Sequence, residues 1–190
     1  MKTARKSLLV ALCAILLVVA SVMGTLAYLT DTEAVTNTFT VGKIGITLDE
    51  APVDEDGKAV EGDRVQANEY HLIPGSSYDK DPTVHVDADS ENAWLFVMVE
   101  NGIADIEAGN TIAAQMAANG WALVAGETNV YAYESIVTAG EDYVVFETFE
   151  VAGDADVAAY TDAEINITAY AVQAENFDTA AAAWAATFGA

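Results

Sequence analysis

Beyond residue 27 the sequence predicts an all-β fold, an antiparallel β-sandwich with two short helices, and three observations carry that prediction. Eight or nine short runs have strand periodicity or an unbroken apolar character. Turn residues such as Asp56-Gly57, Pro74-Gly75, Gly126 and Gly140 separate them. The strand–helix alternation of a parallel α/β fold is absent, and no repeat of fixed period stands out.

The elements follow in chain order. Residues 37–41 (NTFTV) alternate polar and apolar, as a half-buried strand does. Ile44, Ile46 and Leu48 continue the alternation on the opposite parity, so one extra residue, a β-bulge at Gly42, is needed to keep a single inward face. Residues 49–69 are acidic and poor in large apolar side chains, which predicts a surface excursion with room for a small hairpin at a type I′ turn on Asp56-Gly57. A short strand is expected over 70–73, stopped by a type II turn at Pro74-Gly75. Residues 82–86 form the next strand, with Val84 and Val86 on one face, and 87–92 a polar turn.

Residues 93–99 (AWLFVMV) are apolar on both parities, so this strand should be central and covered on both faces. A helix is expected over 110–119, capped by Asn110 and closed by Gly120. Strands follow over 121–124, 130–134, 143–151 and 165–172. The last helix, 177–189, places Phe177, Ala181, Trp184 and Phe188 on one face, with Asp178 as N-cap. That stripe reads as core packing rather than a ligand site.

Charge restricts the partners. There are 7 Lys+Arg against 30 Asp+Glu, and three of the seven are Lys2, Arg5 and Lys6. Only Lys43, Lys58, Arg64 and Lys80 remain beyond them, too few for a basic patch. Nucleic acid and anionic headgroups are therefore excluded as expected partners. Such acidity also favours solubility.

Residues 1–27 read as a helical signal peptide. The three cations form its n-region, and Leu8 to Met23 carries no charge. Thr25 and Ala27 suit a signal peptidase at −3 and −1, which places the cleaved bond between Ala27 and Tyr28. Membrane contact is then confined to the uncleaved leader, although retention as an anchor stays open. Cys13 is the only cysteine and lies within it, preceded by Leu12 rather than the small residue of a lipobox. The mature chain, 28–190, would be one domain with a flexible arm at 28–36, no disulfide and no thiolate nucleophile.

The junction Gly24-Thr25-Leu26-Ala27-Tyr28-Leu29-Thr30-Asp31, followed by Thr36-Asn37, Phe39, Gly42, Ile44 and Ile46, resembles exported Gram-positive proteins with the SipW-type (alternate) signal peptide. Camelysin and the TasA biofilm matrix protein typify that group. Leu29 stands where an aromatic is common, and Ile73-Pro74-Gly75 through Lys80-Asp81-Pro82-Thr83-Val84 is similar to a further stretch of the group. The resemblance implies a jelly-roll-like sandwich, a signal peptidase of the SipW type and secretion to the cell surface. It also implies, for some members, polymerisation into an extracellular fibre by N-terminal strand donation. Self-association or a co-secreted matrix protein would supply the partner, with Leu29, Val35 and Phe39 as candidate pegs of the donated strand. The alternative is a monomeric secreted binding or adhesion module.

The camelysin resemblance also raises a metallo-endopeptidase, which the residues do not support. His71 and His85 are the only histidines, no HExxH is present, and both are expected to face solvent. No GxSxG elbow occurs, so the chain is expected not to be an enzyme and to need no cofactor. Asp87, Asp89 and Glu91 alternate oxygen ligands and are the weak calcium candidates, though the glycine and the terminal glutamate of an EF-hand loop are missing. Asn166-Ile167-Thr168 matches a glycosylation sequon within a strand and reads as structural.

Overall fold

The long apolar strand is the centre of the molecule. A computed structural model describes residues 43–189, which belong to one compact unit. The strand is the fourth of nine among the described residues, β4 (Ala93–Asn101). Its odd residues Ala93, Leu95, Val97 and Val99 enter one apolar cluster, and its even residues Trp94 and Phe96 enter another. Leu95, Phe96 and Val97 are fully buried. Each such side chain contributes roughly 1.5–3 kcal/mol. Apolar residues on both parities thus have the consequence expected of them.

Every strand pairing is antiparallel, so the fold is all-β with short helices. β4 lies between β6 (Val130–Tyr133) and β9 (Ile165–Gln173) in a four-stranded sheet of order β5-β6-β4-β9, with β5 at Trp121–Leu123. The β4–β9 ladder runs from Ala93↔Gln173 to Asn101↔Ile165. A second sheet has the order β1-β3-β7, from Ile46–Asp49, Thr83–Val86 and Asp142–Val144. A third pairs β2 (Ser77–Asp79) with β8 (Thr148–Glu150). Val84 and Val86 of β3 join Tyr78 and Phe149 in the cluster on the odd face of β4. The even face is covered by the C-terminal helix α2 (Ala180–Thr187), through Ala183 and Trp184.

The predicted strand 143–151 is two strands in different sheets. Val145 and Phe146 are adjacent, both fully buried, and both in the same apolar cluster. A regular strand sends neighbours to opposite faces, so the chain kinks here and changes sheets. Helix α1 (Ile112–Ala118) supplies the ladder bonds missing at the kink. The buried Gln115 amide accepts from the N–H of Glu147 and of Thr148, both at 3.1 Å, and donates to the Thr148 carbonyl at 2.8 Å. Trp121 Nε1 donates to the Val144 carbonyl at 2.9 Å.

Residues 70–73 also depart from expectation, since they form no strand. Tyr70 and Leu72 do pack on the core, but a side chain ties the backbone instead of a ladder. The Tyr78 hydroxyl accepts from the Ile73 N–H and donates to the His71 carbonyl, each at 2.7 Å. The turn after it is as expected: Ser76 N–H donates to the Ile73 carbonyl, and Gly75 has φ 78°.

The hairpin in the acidic excursion turns differently. Glu55 and Asp56 lack positive φ, and only Gly57 has it (70°). With Gly57 N–H bonded to the Asp54 carbonyl and Asp54 N–H to that of Lys58, this is a type I turn closed by a G1 bulge, not type I′. The Asp54 carboxylate, accepting from the Asp56 and Lys58 N–H groups, holds that form.

Both helices are capped one residue later than predicted. Thr111 rather than Asn110 caps α1, and Thr179 rather than Asp178 caps α2, each hydroxyl accepting from the amide three residues on. Ala181, expected on the buried face, is exposed, and Ala183 is buried beside Trp184 instead. The signal peptide, the Ala27–Tyr28 junction, the arm 28–36, the pegs Leu29, Val35 and Phe39, and the bulge at Gly42 lie outside the described residues.

Candidate functional site

Two terminal strands of different sheets meet at one side of the unit. Among the described residues β1 pairs only with β3, and β9 only with β4. β1 approaches β9, and beside them opens a groove of about 990 Å³. Leu48 of β1, Ile165 and Ile167 of β9, and Tyr70, Leu72 and Phe149 give it an apolar interior. Residues 67–72 form its opposite rim, and their backbone makes no backbone–backbone hydrogen bond among the described residues. Among the described residues the groove is therefore flanked by peptide groups without a backbone partner and lined by alternate apolar side chains, the two requirements for receiving an extended segment.

A charged cluster is buried at the groove wall. Glu50 is 3% exposed and Lys80 8%. Lys80 Nζ lies 2.5 Å from Glu50 Oε2, and Asn68 Nδ2 donates to Glu50 Oε1 at 2.9 Å. Asn68 also donates to the Ala51 carbonyl at 2.8 Å, and its Oδ1 accepts from Val53 N–H at 3.1 Å. The Tyr70 ring centroid is 5.7 Å from Lys80 Nζ. Burial, with the charge of Glu50 next in weight, pushes the Tyr70 phenol well above its usual range. Composition gave no sign of this cluster, because the excursion reads as solvated acid.

Compared with known proteins, the chain matches no family model, no functionally described protein and no solved structure.

The two histidines differ. His71 is exposed at the groove rim, as expected. His85 is not simply solvent-facing: its side chain is 27% exposed and held between two carboxylates. Nδ1 is 2.6 Å from Asp142 Oδ1 on β7, and Nε2 is 2.9 Å from Asp49 Oδ1 on β1. Partial burial pulls the His85 pKa down, but hydrogen bonds and charge from Asp49 and Asp142 outweigh it and the net shift is upward. Arg64 reaches back from the excursion to Asp49, and to Asp81 at 2.8 Å. Burial raises the Asp49 pKa less than Arg64 and His85 lower it, so the net shift is downward.

The calcium candidates are directed to separate neighbours. Asp89 pairs with Lys43 at 2.7 Å, and Glu91 accepts from Gln173 at 2.5 Å. The Asp87 carboxylate sits over Gly45, where an added Cβ would collide with its oxygen. Among the described residues no group of three or more His, Cys, Asp or Glu is arranged to hold a metal, and no helix is long and apolar enough to cross a membrane. Asn166 is exposed on β9 and donates to Glu164 at 2.9 Å. All four described cations are in ion pairs: Lys43 with Asp89, Lys58 with Asp79, Arg64 with Asp49 and Asp81, and Lys80 with Glu50.

Proposed function

We propose that the chain is a secreted structural subunit of a cell-surface fibre or biofilm matrix, a jelly-roll-like sandwich that assembles by exchanging an N-terminal strand and performs no catalysis on a substrate. The observation that carries this reading is the groove beside β1 and β9, where among the described residues both flanks lack a backbone partner and apolar side chains lie between. The resemblance of residues 24–46 to SipW-exported proteins supports it from the sequence side. Cleavage at Ala27 frees Tyr28 to Val41, fourteen residues that span about 46 Å when extended. That exceeds the length of the nine-residue β9, about 30 Å, so the arm of one copy can lie along the groove of the next. Leu29, Val35 and Phe39 are the side chains available to fill it.

Electron microscopy of protein beginning at Tyr28, beside protein beginning at Val41, tests the reading. Fibres are expected only from the longer form. Equal polymerisation of both would remove the donated strand, and monomers of both under all conditions would favour the binding module instead.

A further inference from the structure

The geometry points to a covalent cross-link that the protein makes by itself, an amide bond between the side chains of Lys80 and Asn68, with Glu50 as the catalytic residue. It goes beyond the assembly reading and does not depend on it.

The three groups meet in one place, Glu50 and Lys80 buried and Asn68 half-buried, although they come from three parts of the chain. Glu50 follows β1, Asn68 belongs to the groove rim, and Lys80 lies between β2 and β3. The Glu50 carboxylate bridges the other two, with Lys80 Nζ on one oxygen at 2.5 Å and Asn68 Nδ2 on the other at 2.9 Å. A nucleophile, a leaving group and a proton carrier between them are what aminolysis of an amide requires. Val53 N–H, 3.1 Å from Asn68 Oδ1, is the donor that steadies the carbonyl oxygen as it gains charge. The bond from Asn68 Nδ2 to the Ala51 carbonyl fixes the orientation of the amide. Burial of Glu50 and Lys80, with the Tyr70 ring over Lys80 Nζ, keeps water from competing.

A purely structural ion pair explains the cluster less well. A lysine ammonium has three donors, and among the described residues Glu50 is its only hydrogen-bond acceptor. Buried ion pairs contribute little net stability compared with apolar packing.

The reaction needs only these groups. A proton passes from Lys80 Nζ to Glu50 Oε2, which removes both charges and frees the nitrogen lone pair. Nζ attacks Asn68 Cγ, forming the Nζ–Cγ bond and placing the negative charge on Oδ1. Glu50 delivers its proton to Nδ2, the Cγ–Nδ2 bond breaks, and ammonia leaves. The surplus proton on Nζ returns to Glu50 and is lost with the ammonia as ammonium. No oxidant, reductant or cofactor takes part. The product closes a ring from residue 68 to residue 80 and fastens the groove rim to the chain entering β3.

Mass spectrometry of the folded full-length chain tests this. The wild type is expected about 17 Da lighter than its sequence, one ammonia. Cleavage before aspartate is expected to leave Asp79-Lys80 joined to the peptide that carries Asn68. Lys80→Arg preserves the charge opposite Glu50 without a nucleophilic amine and is expected at full mass, with no branched peptide. Glu50→Gln is expected to retain both reacting groups with little or no product. Wild type at full mass after prolonged incubation in the folded state would overturn the proposal, whatever the variants do. So would a loss of ammonia that persists in Lys80→Arg, since that loss would come from ring closure within Asn68 alone.

Discussion

Gln115 and Thr148 are joined by three polar contacts: Nε2 to the Thr148 carbonyl at 2.8 Å, and Oε1 to its N–H at 3.1 Å and its hydroxyl at 3.4 Å. A side-chain amide on a helix thereby acts as a strand neighbour where β7 ends and β8 begins. Gln115→Leu keeps the volume but leaves the peptide groups of Glu147 and Thr148, whose bonds to the amide are part-buried, without their side-chain partner. Such groups cost about 1–3 kcal/mol each. The expected loss is about 2–4 kcal/mol. Urea denaturation should show a lower midpoint with an unchanged slope.

His85 should make stability depend on pH near neutrality. Its folded pKa is raised, so its contribution is complete below the unfolded value near 6.5 and is lost as pH rises through the folded value. Asp49, whose pKa is lowered, contributes above the unfolded value near 3.9 and loses this as pH falls through the folded value. For these two groups stability is therefore greatest between about pH 4 and 6.5. His85→Gln should flatten the decline above pH 6.5 and also weaken the acid limb, because His85 is one of the two groups that lower the Asp49 pKa, as thermal melts across pH would show.

Trp184 ties α2 to two elements. Its ring packs on Phe96 at 5.1 Å and on Tyr170 at 5.6 Å, and its Nε1 donates to Glu127 at 3.0 Å. Trp184→Ala should cost about 3–5 kcal/mol, since it empties the centre of the smaller cluster. Amide exchange in residues 180–187 should accelerate far more than in β3, which lies in the other cluster.

Assembly should rise as pH falls toward 4. The chain carries 30 acidic residues, and protonating them weakens repulsion between copies. Light scattering of the processed protein from pH 7 to 4 is expected to show growth. Assembly that ignores pH would refute the electrostatic account.

Periodicity made much of the scaffold legible. β4 was readable because seven apolar residues in a row admit only a strand covered on both faces, and Val84 and Val86 fixed the face of β3. What was not readable depended on distant partners. Residues 143–151 look like one strand until Gln115 is seen to serve the kink, and residues 70–73 lose their ladder to the hydroxyl of Tyr78. The Glu50–Asn68–Lys80 cluster was hidden for the same reason. Acidic and polar residues spread over thirty positions read as solvent-exposed, and only the folded chain brings them together beside Lys80. Turn chemistry at Asp54–Gly57 was half legible: the glycine was identified, but the Asp54 carboxylate selected the turn.

The complete use of the described cations within the subunit has a consequence for its neighbours. Among the described residues every lysine and arginine already faces a carboxylate of its own subunit, so recognition between these surfaces leans on neutral peptide groups and greasy side chains. Ionic strength then sets how near two copies can drift before those short-range contacts take hold: about 30 Å of mutual field at 0.01 M salt, shrinking to about 8 Å at physiological salt.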